Sequence, residues 1–218
     1  MSEQLDQAAL EREQAREVGM SVALMARSAP ERLAVISRHG DRTFGELNAN
    51  ANRLVRVLRA KGLREGNSVA LLCSNRAEFI ESWAACLRSG LRLTCINWHL
   101  QAGEVAYIVD NCEARALLAE ARFAPAVDQA LRSAPRCGQH LAIDGEIPGF
   151  DSYHGALRGV DGSDISDPVR GAIMLYTSGT TGRPKGVCRK RPPALAGLGL
   201  QVMEAAAYDP ERGRSLLT

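Results

Sequence analysis

Between Ser68 and Ile143 the chain alternates short apolar runs with stretches whose apolar residues recur at helical spacing. Ser68 to Cys73, Leu91 to Ile96, Ala116 to Ala119 and Leu141 to Ile143 read as strands. The first is apolar almost throughout rather than at every second position, as in a strand buried on both faces. Parallel strands need a crossover between them, and the intervening segments supply helices. Asn75 reads as the cap of a helix carrying Phe79, Trp83, Ala84 and Leu87 and ending near Gly90. Glu104 to Val109 and Pro125 to Leu131 read as two more. The expected fold class is α/β, with a largely parallel sheet flanked by helices.

The flanking regions fit that frame. Residues 1–17 are polar and read as an N-terminal tail or a frayed helix, and Val22, Leu24 and Met25 mark a short buried helix before Pro30. Leu33 to Ile36 reads as a strand, with Arg38 to Asp41 as a hairpin turn. Thr43 and Glu46 have the spacing of a capping box, worth about 1 kcal/mol at a helix start. The helix that follows presents Leu47, Ala51, Leu54, Val55 and Leu58 on one face, with Gly62 as its C-terminal cap. Residues 159–168 form a polar break, read as a solvated linker. Its aspartates 161, 164 and 167 recur every three residues, which is not the spacing of an EF-hand loop.

Composition narrows the function classes. Apolar residues make up 45% and charged residues 24% of the 218, as in globular proteins. That length buries about 70% of the unfolded surface. Net charge is +2, from 27 basic and 25 acidic residues, too balanced to point to a nucleic-acid partner. The six cysteines show no Cys-x-x-Cys spacing, and they read as reduced thiols of a cytoplasmic protein. His39, His99, His140 and His154 lack metal-ligand spacing and read as structural or surface residues. No run of about 18 apolar residues exists to span a membrane. Peripheral membrane contact stays open.

The richest chemistry lies at Tyr176 to Val187, Tyr-Thr-Ser-Gly-Thr-Thr-Gly-Arg-Pro-Lys-Gly-Val, fed by the apolar run Ala172 to Leu175, which reads as a buried strand. Backbone freed by Gly179, Gly182 and Gly186 can turn several N–H groups toward one anion. Thr177, Ser178, Thr180 and Thr181 add hydroxyl donors, and Lys185 adds a compact positive charge. Composition alone allows a flexible surface loop. The spacing is not that of a Walker P-loop. Nor is Gly197-Leu-Gly199 a dinucleotide fingerprint, because Val202 holds the third glycine's place. Arg189-Lys-Arg191 reads as a solvated turn, and Ala194 to Ala207 as a largely buried helix after Pro192-Pro193.

The order of residues from 176 to 187 resembles the phosphate-binding signature of the AMP-forming adenylating family, with Arg183 in its variable position. That family includes acyl-CoA synthetases, peptide-synthetase adenylation domains and luciferases. Thr43-Phe-Gly-Glu-Leu47 leading to Asn52-Arg-Leu54, and Val69 to Asn75 followed by Glu78-Phe79, resemble the family's amino-terminal half. So does Asn97-Trp-His-Leu100 leading to Glu104 to Ile108, whose wording is most like fatty acyl-CoA synthetases. The resemblance covers about residues 20–218.

It implies an incomplete N-terminal domain of the acyl-adenylate-forming fold, at residues 18–218, with the linker at 159–168 and the phosphate loop at 176–187. It also implies ATP, Mg2+ and coenzyme A as co-substrates with a small-molecule carboxylic acid. Thr177, Ser178, Gly179, Thr180, Thr181, Gly182 and Lys185 would bind the ATP phosphates. No catalytic or metal-binding residue is implied. The family's adenine, ribose and hinge motifs and its C-terminal domain with the catalytic lysine are absent from the 218 residues, so the isolated chain is expected to be inactive. Two other readings stand beside this one: a complete, non-catalytic remnant or module that binds a nucleotide or a partner, and a fragment of an amino-acid adenylation domain.

Overall fold

The computed structural model describes residues 2–177, 184–188 and 215–217. The chain opens with α1 (Ser2–Glu17) and α2 (Ser21–Ser28), then β1 (Leu33–Ser37), β2 (Arg42–Thr43) and α3 (Phe44–Ala60). The alternating region follows as β3 (Ser68–Leu72), α4 (Ala77–Arg88), β4 (Arg92–Ile96), α5 (Ala102–Asn111), β5 (Ala114–Glu120), α6 (Ala124–Ser133) and β6 (Gln139–Ile143). Next come β7 (Asp151–Ser152), α7 (Tyr153–Leu157), β8 (Ala172–Thr177), β9 (Lys185–Cys188) and β10 (Ser215–Leu217).

Among the described residues these strands build two sheets. The larger has the order β7-β6-β5-β3-β4-β8-β9, parallel at every pairing except β8 with β9. The smaller has the order β10-β1-β2. Alternate residues of the central strands enter opposite cores. Val69 and Leu71 join Leu54, Val55 and Leu58 of α3 and Ala84 and Ala85 of α4. Ala70 and Leu72 join Val105, Ile108 and Val109 of α5 and Val127 and Ala130 of α6. Burial on both faces explains the unbroken apolar run at 68–73.

The capping box forms as expected. The Thr43 hydroxyl accepts from the Glu46 N–H at 3.2 Å, and the Glu46 carboxylate accepts from the Thr43 N–H at 2.9 Å. The chosen face of α3 is buried. Past its C-terminus Gly62 has φ +89° and the Leu63 N–H reaches the Leu58 carbonyl at 3.0 Å.

Residues 2–17 take the helical one of the two readings, as α1. Four expectations change. The cap of α4 is Arg76, not Asn75: Arg76 has an extended backbone, and its side chain pairs with the buried Glu78 and with the exposed Asp144. Trp83 remains 38% exposed, while Glu78, Glu81 and Arg88 of the same helix are buried. β8 is not a buried strand: Leu175 is 53% exposed, since β9, which closes this side of the sheet among the described residues, is exposed at all four positions. Residues 159–168 lack helix and strand but are bonded along α3, so the solvated-linker reading fails.

The six cysteines are free thiols, and burial pushes Cys95 and Cys137 up to about 12, out of the nucleophilic range. No helix among the described residues is long and apolar enough to cross a membrane.

Candidate functional site

The strand β8 runs parallel to β4, so its last residue, Thr177, lies at the carboxyl edge of the parallel strands. Ligands of open α/β sheets bind at that edge. β9 then returns antiparallel along β8, pairing Thr177 with Lys185, Tyr176 with Gly186, Leu175 with Val187 and Met174 with Cys188. Directly opposed residues of an antiparallel pair have their Cβ atoms about 5 Å apart on one face. The Thr177 hydroxyl and the Lys185 ammonium therefore stand side by side at the open end of a hairpin. Both are exposed, and Lys185 forms no ion pair among the described residues. A donor and an unspent cation at this position suit a polyphosphate, whose oxygens accept from both.

Tyr176 fixes the base of the hairpin. Its hydroxyl donates to Asn111 Oδ1 at 2.6 Å, tying β8 to the end of α5. Its ring lies across the strand pair against Gly186. A Cβ placed at residue 186 would come 2.9 Å from Tyr176 Cζ and 2.2 Å from Met174 Cε. Gly186 is thus required for close packing, beside its role in the sequence pattern. Ser178, Gly179, Thr180, Thr181 and Gly182 lie outside the described residues, as do Arg189 to Arg191 and the segment 194–207.

A second polar constellation was not legible in the sequence. The crossovers after β3 and β5 leave in opposite directions, and charged groups converge at the carboxyl ends of these neighbours. Glu120, 3% exposed, accepts from the Ser74 N–H at 3.0 Å and the Ser74 hydroxyl at 2.7 Å. Arg76 pairs with Glu78 at 2.8 Å and with Asp144 at 2.9 Å. Arg122 pairs with Glu120 at 2.8 Å and stacks over Trp98 and Phe123. His154 Nε2 meets Glu78 Oε1 at 2.9 Å. Burial alone would raise Glu78, but its bonds with His154 and Arg76 outweigh that and bring it down to about 2. Each of these carboxylates is matched by donors, so the network reads as structure. The available signal was polar residues directly after apolar strand runs, which does not separate a buried network from an exposed loop.

The AMP-binding enzyme family matches residues 23–212, nearly the whole chain. The chain belongs to this family. Its relatives include the medium/long-chain-fatty-acid--CoA/3-oxocholest-4-en-26-oate--CoA ligase of Mycobacterium tuberculosis, 32% identical over 182 residues, which are 78% of this chain and 33% of the relative. Tyrocidine synthase 3 of Brevibacillus parabrevis is 30% identical over 158 residues, covering 72% of this chain and 2% of the synthase. Among solved structures, the anthranilate CoA ligase AuaEII in complex with anthranoyl-AMP matches with a TM-score of 0.70 and 27% identity, over 77% of this chain and 34% of that one. The chain spans about a third of the length of the ligases it matches. The α/β sheet described above is the fold that these AMP-binding ligases share over that portion.

Proposed function

We propose that this chain is the N-terminal portion of an ATP-dependent acyl-CoA synthetase acting on fatty acids, with residues 18–218 in its adenylate-forming domain. The observation that carries the reading is the Thr177–Lys185 pair, set by strand register at the carboxyl edge of the sheet. In the reaction a carboxylate oxygen attacks the α-phosphorus of ATP and pyrophosphate departs. The coenzyme A sulfur then attacks the acyl carbonyl, and AMP leaves as the thioester forms. Thr177, Ser178, Gly179, Thr180, Thr181 and Gly182 supply donors around the β- and γ-phosphates, and Lys185 offsets their charge. Mg2+ would add charge neutralisation on the same oxygens. No side chain of this stretch is assigned to the bond-making steps.

A charge-assisted hydrogen bond is worth about 1.5–3 kcal/mol. Lys185→Ala should therefore weaken ATP binding about tenfold to a hundredfold, read by titration calorimetry with circular dichroism unchanged. Equal affinity in the variant and the parent refutes the phosphate role. Acid-dependent release of AMP, assayed over fatty and amino acids in the longest form the gene specifies, tests the ligase reading. The match to tyrocidine synthase 3 favours a second reading, amino-acid adenylation, which preference for amino acids would support. ATP binding without AMP release from any acid would indicate a nucleotide-binding module.

A further inference from the structure

Arg88 is a fully buried arginine with no carboxylate paired to it among the described residues. Its Nη1 donates to Asn48 Oδ1 at 2.7 Å and to Asn52 Oδ1 at 2.5 Å, and its Nε and Nη2 have no partner among the described residues. Burial pulls its pKa down to about 10, against the pull of Asp164. An isolated buried charge is among the costliest groups in a fold. The compensation comes through the two amides. The Nδ2 atoms of Asn48 and Asn52 donate to Asp164 Oδ1 at 2.8 and 3.1 Å. Each amide thus accepts from the cation and donates to the anion, so its dipole lies along the field between them.

Asp164 lies in the segment 159–168, and its neighbours extend the contact. Asp161 pairs with Arg56, and Asp167 pairs with Arg59, both at 2.9 Å. The partners of the three aspartates, Asn48, Asn52, Arg56 and Arg59, recur at helical spacing on one side of α3. The outer pairs are exposed and contribute little. The central relay is buried at Arg88 and Asn52 and partly buried at Asn48 and Asp164, whose other carboxylate oxygen pairs with the exposed Arg27 at 2.9 Å. Directly after this segment the chain is bolted to the end of α4. The Val169 N–H reaches the Arg88 carbonyl at 3.0 Å, and the Gly171 N–H reaches the Leu87 carbonyl at 2.8 Å. A Cβ at residue 171 would stand 2.2 Å from the Cys86 carbonyl oxygen and 2.3 Å from that of Leu91. β8 starts one residue later and ends at Thr177.

We propose that Arg88, Asn48, Asn52 and Asp164 form a charge relay that locks the 159–171 segment onto α3 and α4 and so sets the register of β8 and the hairpin bearing Thr177 and Lys185. These four are positioning residues. The register part rests on geometry alone, and its consequence for ATP rests on the phosphate reading of the hairpin.

The test is amide hydrogen exchange of the 218-residue chain with and without Asp164→Asn. Exchange reports local opening, and the substitution should speed the amides of 172–177 at least about tenfold. Those of β5 should stay within about twofold. Asp161→Asn and Asp167→Asn, at exposed pairs, should leave 172–177 within about twofold as well. Replacing both charges, in Arg88→Met with Asp164→Asn, should restore slow exchange, because no buried charge is then left uncompensated. Asn48→Ala, which cuts one arm and keeps Asn52, should give a smaller rise at the same amides, and it decides the matter if Asp164→Asn does not fold. Unchanged exchange at 172–177, or an equal rise in β5, overturns the relay.

ATP titration of the same folded variants separates the two claims. Weaker binding that recovers in the double variant supports positioning of the site. ATP affinity unchanged in Asp164→Asn, with Lys185→Ala impaired, overturns the positioning claim. If Lys185→Ala leaves ATP binding intact, the phosphate reading fails and the exchange data alone judge the register.

Discussion

Glu81 has no exposed surface, yet it is the anchor of a polar cluster. Its carboxylate accepts from Arg42 Nε at 2.9 Å, Asn50 Nδ2 at 2.8 Å and the Tyr153 hydroxyl at 2.9 Å, joining β2, α3 and α7 to α4. Removing one partner of a buried pair strands the other. Glu81→Ala should therefore cost about 3–5 kcal/mol in urea denaturation, far more than loss of an exposed pair such as Arg132–Asp128. His154 gives this region a pH response. Its bond with Glu78 raises its pKa, so its contribution is complete below its ordinary value of 6.5 and is lost as pH rises through the raised one. Glu78 has the opposite sign: its contribution is complete above its ordinary 4.5 and is lost as pH falls toward about 2. The contribution of this pair should be largest between these ordinary values. In denaturation curves across pH, His154→Ala should flatten the alkaline limb and Glu78→Gln should shrink the acid one. An unchanged alkaline limb in His154→Ala would remove His154 as its source.

At the scale of elements, α3 is the member most plainly written in the sequence. Thr43, Glu46 and the face Leu47, Ala51, Leu54, Val55, Leu58 obey local rules, and the capping box and buried face form accordingly. Thr43→Ala should cost about 1 kcal/mol at the helix start, measurable as a lower denaturation midpoint at constant slope. The neighbouring α4 shows where local reasoning stops. A pattern reading places Trp83 inward and leaves its charges to solvent. In the fold Arg76, Glu78, Glu81 and Arg88 find partners just past β6 and on α7, β2 and α3, and those partners lie up to 76 residues away along the chain. Burial of a charge depends on such distant partners, which periodicity does not encode. The 159–168 segment is the same case. Its aspartates look solvated until α3 lies beside them.

For the whole molecule, the doubly covered sheet leaves one flank bare among the described residues. Leu175 and Val187 face each other across β8 and β9, 53% and 41% exposed. Exposed apolar strand faces promote association. The isolated 218-residue chain should elute as concentration-dependent oligomers in size-exclusion chromatography, and Leu175→Lys with Val187→Glu should shift it toward monomer. A parent chain that is monomeric at all concentrations would contradict this.

Residue order alone determined the α/β class, the parallel strands, the ends of α3 and the membership that the 176–187 stretch announces. These depend on short-range rules: apolar periodicity, capping geometry and glycine placement act within a few residues. The tertiary structure decided that Thr177 and Lys185 face each other, that Glu120 and Arg76 lie buried at the sheet edge, and that Asp164 answers Arg88 through two amides. Each of these joins groups from separate elements. Their energies depend on burial and distance, and both exist only once the chain has packed.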